Sequence, residues 1–286
     1  MAIVGSGVRA THEALRDNYR TEYGWYDPTQ HADEPSDELG FTTQTTGIIV
    51  GALKGVGVAP QAKWITCRGC GIFNCGEGPL IECAQWLLCP TDSNGQNANC
   101  SYAPQVVSKI WGGPAPNKLY EEVLKTLHAA SIASIFSVGN HGPDCNMVAS
   151  PADSVFAIGV GSVERDGQAH YCTSGGPTSD GRIKPDISAP TGTIITTSAD
   201  SDNSYVAVIG PGYSQPHVAG LAALLYSAAP NATLDEIRHA LTAGAQYVPP
   251  TGIDCGGVSE DTFPNNKVGF RRVYGPSSIA NLGRAH

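Results

Sequence analysis

The stretch GPGYSQPHVAGLAALLYSAAP, Gly210 to Pro230, decides how the rest of the chain is read. Val218, Leu221, Leu224 and Leu225 recur at one-turn spacing, so 212–229 is expected to be a helix with one face in a core. Outward from it, short apolar runs stand at Ala2-Ile3-Val4, Lys63-Trp64-Ile65, Gln105-Val106-Val107, 132–138 and 155–160, bounded by Gly, Pro or Ser. Continuous, often β-branched runs of this kind suit parallel strands buried on both faces. Between them Leu119, Val123, Leu124 and Leu127 form a helical stripe, and Thr233-Leu234-Asp235-Glu236 reads as a capping box opening another helix. The βαβα order predicts one α/β domain over 1–286, an open and mostly parallel sheet with helices on both faces. No internal repeat or linker divides it.

With 286 residues, 41% apolar and 15% charged, the chain can bury one extended core. A net charge of −9 without a basic cluster argues against a nucleic-acid partner. No apolar run approaches the roughly 18 residues of a membrane span. Of nine cysteines, six (Cys67, Cys70, Cys75, Cys83, Cys89, Cys100) fall in a cysteine-rich insert around 67–100. An even local number implies disulfides formed in an oxidising compartment. The competing reading is a zinc site at Cys67-x-x-Cys70 with Cys75, which lacks a second Cys-x-x-Cys pair. Neither a metal nor a cofactor is expected. The sequons Asn99-Cys100-Ser101 and Asn231-Ala232-Thr233 fit a secreted ancestry. No basic-then-apolar leader opens the chain, so its present location is left open.

Five short motifs point to one family. Pro216-His217-Val218-Ala219-Gly220 resembles the nucleophile helix G-T-S-M-A-S/T-P-H-V-A-G of the subtilisin-like serine peptidases, the subtilases. Ser137-Val138-Gly139-Asn140-His141-Gly142-Pro143 is similar to A-A-G-N-x-G-P, whose Asn donates to the oxyanion in that family. Trp111-Gly112-Gly113 resembles S-W-G-G of the substrate-binding strand. Lys184-Pro185-Asp186-Ile187-Ser188-Ala189-Pro190 resembles K-P-D-I-x-A-P-G, with Thr191 in place of the glycine, and Gly57-Val58-Ala59-Pro60 resembles G-V-A-P. They occur in family order and cover nearly the whole chain, which implies the subtilase fold.

The resemblance also implies a triad in the order Asp, His, Ser. Here the acid's place, in Ile3-Val4-Gly5-Ser6-Gly7-Val8, is taken by Gly5. The base's place, in Phe41-Thr42-Thr43-Gln44-Thr45-Thr46-Gly47 against H-G-T-H-x-x-G, is taken by Phe41. Counting back from Pro216 without gaps, the serine's place is taken by Gly212, and Ile110 holds a position where the family often has Ser. A serine hydroxyl needs an adjacent base to take its proton, and histidine needs a carboxylate to fix its tautomer. Phenylalanine and glycine supply none of these groups.

The candidate pocket is Phe41, Gln44, Lys109, Ile110, Asn140, Gly212, Tyr213 and Ser214, and most of these residues have a structural alternative. Ser214 stands two positions past the serine's place, about 200° around an ideal helix, and reads equally as a helix-start cap. Asn140 is either a hydrogen-bond donor to a ligand carbonyl or a turn residue. Lys109 is either an amine buried near Phe41 with Schiff-base chemistry or, as lysines usually do, an amine reaching solvent. Gln44 either meets a ligand or satisfies backbone at the helix start. Tyr213 offers an aromatic wall or packs in the core with its hydroxyl satisfied. His217, within the retained motif, reads as structural.

Losing a buried charge and gaining apolar bulk favours an uncharged ligand. The expectation is a non-proteolytic relative whose cleft binds, and transforms by isomerisation or cyclisation, a small apolar molecule. Two other readings stand beside it. One is a pseudoprotease that holds an extended peptide against Trp111-Gly112-Gly113. The other is an endopeptidase with its nucleophile moved to Ser214.

Overall fold

Side-chain alternation along the strands sorts the interior into two layers. In β1 (Ala2–Gly5), Ala2 and Val4 face one layer and Ile3 the other; Phe136 and Ile135 divide in the same way. The computed structural model describes residues 1–72, 74–109 and 111–283. After β1 come β2 (Trp25–Tyr26), α1 (Phe41–Val50), β3 (Ile65–Arg68), α2 (Glu77–Leu88), β4 (Val106–Lys109) and α3 (Lys118–Ala129). β5 (Ala133–Ser137), β6 (Ala157–Val163), β7 (Ile187–Pro190), β8 (Ile194–Thr197) and β9 (Tyr205–Val208) follow, then α4 (Gln215–Ala228), α5 (Leu234–Ala243) and α6 (Gly275–Ala280). The sheet has seven strands in the order β2-β3-β1-β4-β5-β6-β7, every neighbouring pair parallel. β8 and β9 form a separate antiparallel hairpin.

Helices cover both faces, as expected of a doubly buried parallel sheet. α1 and α4 pack over Ile3, Ile135, Val160 and Ile187, and α2 and α3 pack over Val4, Val107 and Phe136. The third strand begins at Ile65 rather than at Lys63, because its ladder with β1 opens at Ala2↔Ile65. The segment 212–229 is not one helix. A single 3-10 turn, Pro211–Tyr213, precedes α4, which starts only at Gln215 with Pro216 in its first turn. Proline suits that turn because its missing N–H would have had no intrahelical partner. The box at Thr233 is formed, its Oγ1 accepting from the Glu236 N–H while a Glu236 carboxylate oxygen accepts from the Thr233 N–H.

The glycine of P-H-V-A-G has a packing role. A methyl group added at Gly220 would stand 2.6 Å from Val58 Cβ and 3.3 Å from the Ile49 carbonyl oxygen. α4 meets α1 there with no room for a side chain. Gly220→Ala is expected to cost about 1–3 kcal/mol through overpacking, read as a lowered urea midpoint at unchanged m-value.

Four disulfides form: Cys67–Cys83, Cys70–Cys75, Cys89–Cys100 and Cys145–Cys255. Every sulfur of the 67–100 cluster is therefore bonded to another, which rules out the zinc reading of Cys67, Cys70 and Cys75. Cys172 is a free thiol. Among the described residues no helix is long and apolar enough to cross a membrane.

Candidate functional site

In open parallel sheets ligands bind beyond the carboxyl ends of the strands. Here β1 ends at Gly5, β3 leads into Cys70, β4 into Trp111 and β5 into Asn140, while α1 begins at Phe41 and the turn before α4 carries Gly212 and Tyr213. These residues line one cavity of about 420 Å³. Gly5, Phe41 and Gly212, distant in sequence, thus share a wall system with Asn140. None of its described lining residues is Asp, Glu, His, Lys or Arg. Leu39, Phe41 and Ile209 surround it with apolar side chains 39%, 56% and 69% exposed. Tyr213 is its ionisable phenol, and burial raises that pKa, so the hydroxyl stays protonated at neutral pH. A larger hollow of about 910 Å³ elsewhere is lined by Glu22, Asp33, Glu34 and Asp92 among other polar groups. That hollow contains acidic side chains and none of the triad's places, whereas the smaller cavity holds all three places and no described acid or base, so the smaller cavity is the candidate.

Local chemistry explains how the walls are held. α1 has Gly40 at its N-cap with φ 79° and no side-chain cap. Asp37 supplies the missing acceptor, its carboxylate taking hydrogen bonds from the backbone N–H of Leu39, Gly40 and Thr43 and from Thr43 Oγ1. It also accepts from Ser6 Oγ at 2.7 Å, just past the end of β1. A carboxylate at a helix N-terminus satisfies orphan donors and meets the positive end of the dipole. Five donors occupy its lone pairs. No imidazole is among the described lining residues, so the Ser6–Asp37 pair is a structural clasp rather than a relay. The sequence reading missed it; Asp37 followed six residues later by Thr43 at a helix start was the available signal.

The turn at 210–213 is clasped from outside. Thr191 Oγ1 donates to the Gly210 carbonyl at 2.7 Å, and Ser162 Oγ donates to the Pro211 carbonyl at 2.8 Å. Thr191, a departure from the family's A-P-G, thus supports the cleft. A Cβ added at Gly212 would meet no heavy atom within 4 Å, so its place opens onto free space. Tyr213 lies on the wall and donates its hydroxyl to Gln44 Oε1 at 2.6 Å. That contact, not the helix-start backbone, engages the Gln44 side chain. His217 Nδ1 pairs with the Tyr213 carbonyl at 3.0 Å, and burial lowers its pKa.

Three candidates lie off the cavity lining: Gln44, which stands behind Tyr213, together with Ser214 and Lys109. Ser214 is buried, makes no capping bond, and its Oγ has no hydrogen-bond partner among the described residues. It sits between the 3-10 turn and α4 with helical backbone angles, fully buried and not among the cleft's lining residues. Lys109 neither reaches solvent nor approaches Phe41. It is 3% exposed on the α2/α3 side of the sheet, with Nζ 5.2 Å from the Phe136 ring centroid. Ile110 lies outside the described residues. Asn140 is exposed on the wall, and its side chain bonds to no described residue. At Gly113 both backbone groups are already paired with Ser150, at 2.8 and 3.0 Å.

A seven-stranded parallel sheet, with its cleft between the ends of β1, β4 and β5 and the starts of α1 and α4, defines the structural class. The chain belongs to the subtilase family, whose Peptidase_S8 profile matches residues 1–274. It is 30% identical to bacillopeptidase F of Bacillus subtilis, an alignment covering all of this chain and 21% of that protein. It is 29% identical to serine protease AprX of the same organism, over 77% of this chain and 56% of that one. This chain therefore spans only a part of these two relatives. Among solved structures, a protease of Pseudoalteromonas arctica superposes with a TM-score of 0.78 at 21% identity, covering 99% of this chain and 89% of that one. A cold-adapted subtilisin-like serine proteinase superposes at 0.74 with 20% identity, covering 96% and 88%.

Proposed function

We propose that this subtilase-family chain is non-proteolytic and that its cleft binds a small, neutral, apolar molecule. One observation carries the reading: at the carboxyl edge of the sheet, an apolar-rimmed cavity of about 420 Å³ has Gly5, Phe41 and Gly212 on its walls and, among the described residues, no acid or base beside them. Its size falls in the usual range for small-molecule sites, roughly 300–1,000 Å³. The exposed apolar side chains of Leu39, Phe41 and Ile209 all line this one hollow, which supports a binding role. Asn140 is the available polar contact, fitted to a carbonyl or hydroxyl oxygen. Should the ligand be transformed, isomerisation or cyclisation by confinement and hydrogen bonding suits these groups, whereas hydrolysis would need the missing relay.

The test is a thermal-shift screen of neutral apolar compounds beside extended peptides, with fluorophosphonate labelling in parallel. Neutral compounds are expected to raise Tm while peptides do not, and no serine is labelled. Phe41→Asp is expected to weaken the best compound at least about tenfold, since its docking would desolvate a carboxylate. Shifts by peptides alone would replace this reading with a peptide-binding pseudoprotease. Stoichiometric labelling at Ser214 would make the chain a peptidase.

A further inference from the structure

Part of the cleft wall is a disulfide. Cys70 and Cys75, bonded to each other, both line the cavity of about 420 Å³, together with the apolar side chains of Leu39, Phe41, Trp111 and Ile209. The two sulfurs are not equally reachable. Cys70, just past the end of β3, is 6% exposed, whereas Cys75, just before α2, is an exposed residue. The bond spans only 5 residues, so opening it frees little chain entropy and leaves the fold standing. The other bonds differ. Cys67–Cys83 is fully buried, Cys145–Cys255 closes 110 residues, and Cys89–Cys100, though Cys100 is exposed, does not line the cleft.

A disulfide sulfur is an electrophile toward a thiolate, and access decides which of the two is attacked. Here the attack falls on Cys75, and Cys70 is the sulfur that leaves. Cys70 also lines a narrow neighbouring gap with Arg68 and the exposed Glu38. Arg68 is 2% exposed; its Nη1 pairs with Asp27 at 3.1 Å, while its buried Nε has no hydrogen-bond partner among the described residues. Asp27 and Glu38 offset part of the guanidinium charge but do not use that donor. A cation and an unspent N–H near Cys70 favour its thiolate, and a better-stabilised leaving thiolate departs faster.

We propose that the Cys70–Cys75 bond is a capture site for small apolar thiols, held in the cleft as a mixed disulfide on Cys75. The proposal rests on the reading of the cleft as a pocket for apolar molecules. The incoming thiolate forms a new S–S bond to Cys75 Sγ as the Cys70–Cys75 bond breaks, and Cys70 leaves with the electron pair. The proton the thiol gave up on ionising ends on Cys70. One disulfide replaces another, so no outside oxidant or reductant enters. The cavity is many times the roughly 30 Å³ share of one water, so a short alkylthio group fits inside it.

The full chain, its Cys172 thiol first alkylated with iodoacetamide, is treated in separate runs with ethanethiol and butanethiol, quenched with N-ethylmaleimide and mapped. The expected product carries the alkylthio group on Cys75 and the maleimide on Cys70. Each buried methylene shifts an equilibrium by about fourfold, so butanethiol should give about tenfold more Cys75 adduct than ethanethiol. At Cys100, exposed outside the cleft, the two thiols should give equal amounts. Butyl methyl sulfide, which has no thiol to exchange, is expected to raise Tm and to slow capture at Cys75 alone. Adduct on Cys70 instead, the same chain-length ratio at Cys75 as at Cys100, or modification of Cys75 only in urea would overturn the proposal. With Cys75 unmodified while the sulfide raises Tm, capture fails and the apolar reading of the cleft stands. With Tm unmoved and the two ratios equal, both fail.

Discussion

Replacing Gly5 by Asp, Phe41 by His and Gly212 by Ser together is expected to give stoichiometric fluorophosphonate labelling at position 212, where the chain itself is expected to take none. The three positions share one cavity. A Cβ at 212 meets nothing within 4 Å, and position 41 is 56% exposed at the start of α1, so an imidazole there need not be buried whole. Each single replacement should do nothing measurable, because triad members act as a unit. In subtilisin, a member of the same family, losing the whole triad costs about 2 × 10⁶ in kcat. A gain of about 10³-fold or more in activated-ester hydrolysis by the triple variant is therefore expected. A folded triple variant, shown by an intact near-UV spectrum, that stays unlabelled would mean that the turn at 212 does not face position 41. The assignment of Gly212 to the serine's place would then be wrong.

The second large effect concerns stability. Cys145–Cys255 closes 110 residues and joins the segment after Asn140 to the loop near the C-terminal end of the chain. In the chain-entropy account a cross-link of that span restrains the unfolded state by about 4–5 kcal/mol. The double variant Cys145→Ser, Cys255→Ser is expected to lose that amount, read as a lowered guanidinium midpoint. Cys70–Cys75 spans only 5 residues and should contribute less. Equal losses from the two bonds would show that native-state packing, rather than loop entropy, sets their effect.

Much of the architecture was legible because parallel strands buried on both faces write themselves as unbroken apolar runs, as at Ile132 to Val138. The retained P-H-V-A-G placed the α4 region, and Gly220 shows why that motif resists change. What the sequence concealed was mostly direction. Strand alternation told that Lys109 and its successor face opposite ways, but not which side is dry. A 3-10 turn at Pro211–Tyr213 precedes α4 and Ser214 is buried, and nothing in the local pattern announces either. β2 at two residues is too short to carry a period, and β8 and β9 mix Thr with exposed apolar residues. Asp37's cap of α1 had a local signal in Thr43, but its link to Ser6, 31 residues away, had none.

That clasp has a consequence for selectivity. With one carboxylate tying the end of β1 to the entry of α1, the two flanks of the opening cannot drift apart independently. If the cleft binds as proposed, a gap held in this way is expected to sort molecules by girth, accepting or refusing an added methyl rather than widening to meet it.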